Sequence, residues 1–88
     1  MEIYRMMVVS TCHISGDTRK LMDAEAVGVV VYPKDKYGWF VVVSEWRDYI
    51  EDIPYDLRRC LAYAEEHACE WLCLDCDGPV IPTLQRFE

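Results

Sequence analysis

An α+β domain of element order β-α-β-β-α-β is predicted by three features of the 88-residue sequence. Short apolar runs rich in β-formers recur between punctuating Gly, Pro and Asp residues. Residues 54–68 carry apolar side chains at helical spacing. Apolar residues make up 52% of the chain, enough for one core, and the length allows a single domain over residues 1–88. This order predicts a ferredoxin-like plait, a four-stranded antiparallel sheet with two helices on one face. A mixed sheet with one long helix is the alternative, because the first helix is short for a full crossover.

Residues 3–12 (IYRMMVVSTC) form the predicted first strand. Ser15 then starts a helix over residues 16–23. Its hydroxyl can accept from an early backbone N–H, and Asp17 sits in the first turn, where the dipole favours an anion. Leu21 and Met22 supply that helix's apolar face, with Ile14 packing just before it. Residues 26–32 (AVGVVVY) are the second strand, ended by Pro33, which cannot donate to a ladder. Lys34-Asp35-Lys36-Tyr37-Gly38 is a hairpin loop leading to the third strand, residues 39–44 (WFVVVS). Residues 46–52 make a polar and aromatic connection. Pro54 suits the first position of a helix, where a missing N–H costs nothing. In that helix Leu57, Cys60, Leu61, Ala64 and Ala68 share one face, and Asp56, Arg59, Tyr63, Glu65 and Glu66 lie mostly opposite. Residues 70–75 (EWLCLD) are the fourth strand, with Leu72 and Leu74 facing the helices. Asp77-Gly78-Pro79 ends it, and the tail is irregular or a short edge strand.

Strands two and three depart from a simple plait. That fold leaves one sheet face to water, yet residues 29–31 and 40–43 are apolar on both faces. The tail could cover the second face through Val80, Ile81, Leu84 and Phe87. A homodimer or partner interface is the other cover, and the favoured one.

The chain carries 9 Lys+Arg against 16 Asp+Glu, a formal net charge of -7. Direct binding to nucleic acid or to an anionic membrane by charge is therefore excluded. A basic partner is permitted. Large catalytic scaffolds need two to three times this length. Glu2 and Arg5 interrupt the apolar start, so no targeting segment is expected, and no run approaches a membrane span. Five cysteines, an odd number, point to free thiols in a reducing cytoplasm.

Three constellations could carry chemistry. Cys69-x-x-x-Cys73-x-x-Cys76 has the spacing of the radical SAM iron–sulfur motif, but the predicted helix end, strand middle and strand end disperse the three thiols. Residues 72–78 (LCLDCDG) resemble the strand-end motif of haloacid-dehalogenase-type phosphatases, whose downstream sheet is lacking here. An Asp-Gly turn explains the same residues. His13, at the end of strand one, lies close in sequence to Asp17 and Thr18 at a helix start, a possible anion or ligand pocket. In an antiparallel plait, His13 and the Asp75/Asp77 pair fall at opposite sheet ends, on the order of 15–20 Å apart. No metal or cofactor is assigned. Among the many aromatics, Tyr37, Trp46 and Tyr49 on loops are the better interface candidates.

Several of these pieces together carry a resemblance. Val9-Ser10-Thr11-Cys12-His13 is followed by Thr18, then by Gly38-Trp39-Phe40-Val41 and Pro54-x-Asp56-Leu57-Arg58. Cys69-x-Trp71-x-x-Leu74-Asp75-x-Asp77-Gly78-Pro79 and Phe87 complete the set. The chain resembles, over about residues 8–87, a family of short bacterial proteins of no assigned activity, often carried by phages, plasmids and integrated elements. Ser-Thr-x-His and Asp-x-Asp-Gly-Pro are its most specific parts. The family pattern has no Cys at the positions of Cys73 and Cys76. The resemblance implies the company of mobile-element accessory factors, many of which block host defence proteins such as CRISPR effector complexes.

The leading expectation is thus a non-enzymatic inhibitor that docks an acidic face on a basic, nucleic-acid-handling protein or complex. Residues 48–88 hold 10 acids and 3 arginines, whereas residues 1–47 hold 6 acids and 6 bases. The expected contacts are Asp48, Glu51, Asp52, Asp56, Glu65, Glu66 and Glu70, with Trp46 and Tyr49. Two alternatives stand beside it. One is a small enzyme or ligand-binding module using His13 with Asp17 and Thr18, or Asp75 with Asp77. The other is a homodimeric structural or regulatory module.

Overall fold

A computed structural model describes residues 1–87; Glu88, the last residue of the predicted tail, lies outside the described residues. The strands are β1 (Met6–Ser10), β2 (Val31–Lys34), β3 (Gly38–Val42) and β4 (Trp71–Asp75). Helix α1 (Gly16–Asp23) follows β1 after a 3-10 turn at Thr11–His13. A 3-10 segment, Trp46–Asp52, and helix α2 (Tyr55–Glu66) join β3 to β4.

The sheet order is β1-β4-β3-β2. β4 runs parallel to β1 and antiparallel to β3, and β3 is antiparallel to β2. This corrects the all-antiparallel plait: the sheet is mixed. The physical reason lies in β4. Leu72, Cys73 and Leu74 are all buried, as a strand flanked on both sides requires. β1 buries only Val9 and Ser10 and takes an edge. With β4 inserted beside β3, the long connection through α2 returns to its own neighbour. The crossover through α1 carries the chain from one edge of the sheet to the other.

Several boundaries move as well. β1 is half the predicted length, because Ser10 accepts the Cys12 N–H and turns the chain into the 3-10 turn. The second strand starts at Val31, not at residue 26. Gly28 takes a left-handed φ of 81° and brings its backbone against Asp52, so residues 26–30 form a loop. Pro33 lies within β2 opposite Trp39 instead of ending it, which an edge strand tolerates. α1 has the expected limits, and the Ser15 hydroxyl accepts the Thr18 N–H. Met22 is buried while Leu21 is exposed. α2 buries Leu57, Cys60, Leu61 and Ala64 as its periodicity predicts. Ala68 instead ends the helix in a left-handed conformation, φ 56°.

One core lies between the sheet and the helices. Val9, Leu72, Leu74, Val41 and Val31 meet Ile14, Met22, Leu57, Leu61, Trp46 and Leu84 there. The tail packs on this helical side, not over the other sheet face. Leu84 joins the core, the Phe87 N–H donates to the Cys12 carbonyl, and Ile81 and Gln85 bond to His13. Val80 remains exposed.

Candidate functional site

The parallel pairing of β1 and β4 changes the geometry of the two motifs. Ser10 and Asp75 are register partners, so both strands end at the same side of the sheet. His13 and the Asp75/Asp77 pair therefore do not fall at opposite ends, and that expectation is overturned. The motifs instead interlock. The Ser10 N–H donates to the Pro79 carbonyl at 2.9 Å. Gly78 lies on the β1 backbone, where a Cβ would come within 2.7 Å of the Val9 carbonyl. The Gly78 N–H donates to the Asp75 carbonyl, and the Asp77 N–H to the Asp75 carboxylate at 2.8 Å.

His13 is 1% exposed, and both of its ring nitrogens are engaged. Nε2 accepts the Ile81 N–H at 2.9 Å, so Nδ1 carries the proton and donates to the Gln85 carbonyl at 2.9 Å. The ring is a clip that holds the tail. Thr18 does not turn toward His13: its hydroxyl donates to the Asp56 carboxylate at 2.7 Å. Asp17 stays exposed in the first turn of α1. The predicted trio of His13, Asp17 and Thr18 is thus not a single pocket. A cleft of about 440 Å³ does open between α2 and the tail, lined by His13, Asp56, Tyr55, Arg59 and Phe87 among others.

Asp75 forms an ion pair with Lys34 across β3. The Lys34 ammonium, aided by the Asp77 N–H, holds the Asp75 carboxyl below the usual carboxylate range, and Asp75 in turn raises Lys34. Gly38 lies between them, and only glycine fits, since a Cβ there would overlap the Leu74 carbonyl. Asp75, Cys76 and Asp77 bring ligand atoms within 4.8 Å of one another. Both Asp75 oxygens already have partners in Lys34 and the Asp77 N–H. Among the described residues Cys69, Cys73 and Cys76 do not form a group with ligand atoms within 4.8 Å of one another. Cys69 and Cys73 are buried, Cys76 is exposed, and all five cysteines are free. Burial pushes the Cys60 thiol up to about 12 and also raises Cys73.

The acidic residues divide into two groups. Asp56 is a brace between the helices, accepting from the Ser15 N–H at 2.7 Å as well as from Thr18, and is no free contact. Glu65 pairs with Arg47 at 2.8 Å, and Glu70 accepts the Arg5 N–H at 2.7 Å. Trp46, expected at an interface, is buried beneath the Arg47 guanidinium. Asp48, Glu51 and Asp52 stand exposed on the 3-10 segment with Tyr49, and Glu66 is exposed on α2. Among the described residues, none of these four carboxylates forms an ion pair. Glu25 and Glu45 join this side. They line a cleft of about 500 Å³ with Val29, Val30, Val42 and Tyr49. Sequence reasoning missed both: Glu45 directly precedes the 3-10 segment and could have been found from that adjacency, whereas Glu25 comes near it through the tertiary approach of Gly28 to Asp52.

A model of the family of unknown function DUF5983, C-terminal domain, matches residues 6–88, and the chain belongs to that family. This agrees with the resemblance to a family of no assigned activity. No curated protein and no solved structure matches the chain. Among the described residues no helix is long and apolar enough to cross a membrane.

Proposed function

We propose that this member of DUF5983 is a protein-binding module, not a catalyst, whose acidic side engages a basic, nucleic-acid-handling partner. The observation that carries this reading is the row of exposed carboxylates at Asp48, Glu51 and Asp52, flanked by Glu25 and Glu45 and by an exposed Tyr49. Arg47 adjoins this row but pairs with Glu65, and carboxylates outside any ion pair present a field that a Lys/Arg channel can satisfy. Tyr49 offers the rigid aromatic anchor common at interface centres. The His13, Thr18 and Asp75 side chains, which a catalytic reading would use, are engaged in bonds that hold the fold. The setting is the reducing cytoplasm, and the biological role is inhibition of a defence complex such as a CRISPR effector.

Affinity capture with the tagged chain tests this. At low salt we expect recovery of a nucleic-acid-binding protein that is released by added nucleic acid and by roughly 0.3 M salt, where the Debye length falls to about 6 Å. Reversing Glu45, Asp48, Glu51 and Asp52 to Lys should abolish the capture. Retention of the same partner by the reversed variant would sink the acidic reading.

A further inference from the structure

The second face of the sheet is open. Its side chains alternate with those of the core: Met6, Trp71 and Val42 form one row, and Val8, Phe40 and Tyr32 flank Cys73 in the next. Tyr32 is 51% exposed, Met6 44% and Val8 41%. Both helices and the tail lie on the opposite side, where the core residues gather. We propose that two copies of this chain pack these faces together as a two-fold dimer.

Three arguments select a second copy as the occupant. The first is area. Three strands of five residues and one of four, ~4.8 Å apart at ~3.3 Å per residue, give a footprint of roughly 300 Å². Side-chain relief about doubles this, and Tyr4, of the same parity as Met6 and Val8, extends it toward the ~800 Å² per partner of a stable interface. The second is charge. Within the four strands, among the described residues, the charged side chains on this face are Lys34 and Asp75, which neutralise one another, and Glu2 lies at its margin bonded to Tyr4. A chain of net charge -7 can therefore meet its own copy here without like-charge repulsion, whereas a basic partner finds no uncompensated acid. The third is symmetry. A two-fold contact needs a self-complementary surface, and a neutral, apolar sheet face satisfies that by packing on itself at ~10 Å. The contact adjoins the acidic cleft at Val42, whereas Val8 and Tyr32 do not line that cleft, so substitutions there test the dimer separately from the acidic side.

Sedimentation equilibrium of the full chain, with reductant present, tests the proposal from about 5 to 100 µM, a range that covers ordinary dimer affinities. The expected mass is twice the 10.3 kDa of one chain. Val8→Lys with Tyr32→Lys should weaken the dimer more than tenfold. Leu21→Lys, exposed on α1, should leave it intact. A single-chain mass at 100 µM would overturn the proposal, as would a double variant that stays dimeric. Should that variant unfold, mixed-isotope NMR on the unaltered chain decides. Intermolecular contacts among Met6, Val8 and Val42 methyls are expected, and their absence at this face overturns the dimer.

Discussion

His13 shows how a single residue can look catalytic and serve as a fastener. Its type and its place after a strand suggest chemistry, but its ring joins Ile81 and Gln85 of the tail to the turn after β1. Replacing it with Ala leaves the Ile81 N–H and the Gln85 carbonyl, whose bonds to the ring are part-buried, without these partners and empties a buried site. His13→Ala is expected to cost about 2–4 kcal/mol in urea unfolding. His13→Gln, which keeps a donor and an acceptor, is expected to lose less. An unchanged unfolding midpoint in His13→Ala would show that the clip contributes nothing. Gly38 and Gly78 act by lacking a side chain: each lies where a Cβ would strike a neighbouring strand's backbone. The Asp-Gly pair at the end of β4 is thereby explained as packing against β1. No phosphatase chemistry is needed for it.

Between elements, two polar contacts set the arrangement. Asp56, at the start of α2, holds the start of α1 through Ser15 and Thr18. Asp56→Ala is expected to destabilise the chain by about 2–3 kcal/mol, since two charge-assisted bonds are lost together. Thr18→Val, measured in the same urea titration, should lose about 1 kcal/mol. The Lys34–Asp75 pair ties β2 to β4 across β3. Asp75 has a lowered folded-state pKa, so its contribution is present above the ordinary carboxylate value near 3.8 and is lost as pH falls through the lower folded value. Lys34 is raised, so its share is complete below its ordinary 10.5 and is lost as pH rises through the higher folded value. Lys34→Met should therefore flatten the acid limb of the stability profile below about pH 4, read by circular dichroism. An acid limb identical to that of the parent chain would remove the pair from the account.

At the scale of the whole molecule, the acidic side and the open apolar face occupy different elements and adjoin at Val42. The acids stand on the 3-10 segment and α2, and the open apolar face belongs to the sheet. Crowded carboxylates repel one another across the acidic side. Raising salt from about 20 to 300 mM is expected to raise Tm by roughly 2–4 °C through screening. A fall in Tm would mean that ion pairs, not repulsion, dominate the surface. The two surfaces together suit a dimer that displays two acidic sides to a basic partner.

Local chemistry made much of this legible. The Ser15 cap, the α1 limits, the buried stripe of α2 and the hairpin at residues 34–38 all followed from short-range rules, which act within a few residues. The two-sided apolar character of residues 40–43 pointed to a second sheet face, whereas Val29 and Val30, read with them as strand, lie in the loop before β2. Strand order was beyond such rules. A β-α-β-β-α-β string is compatible with several pairings that bury the same side chains, and the choice is made by long-range contacts. β4 lies between β1 and β3 because its three successive apolar residues are buried best with a strand on either side. That one placement brought the two motifs together and filled the bonds of His13. The sequence by itself determined the elements and the charge; the tertiary structure decided which residues were free to act, because burial and hydrogen bonding engage side chains only once the strands have chosen their neighbours.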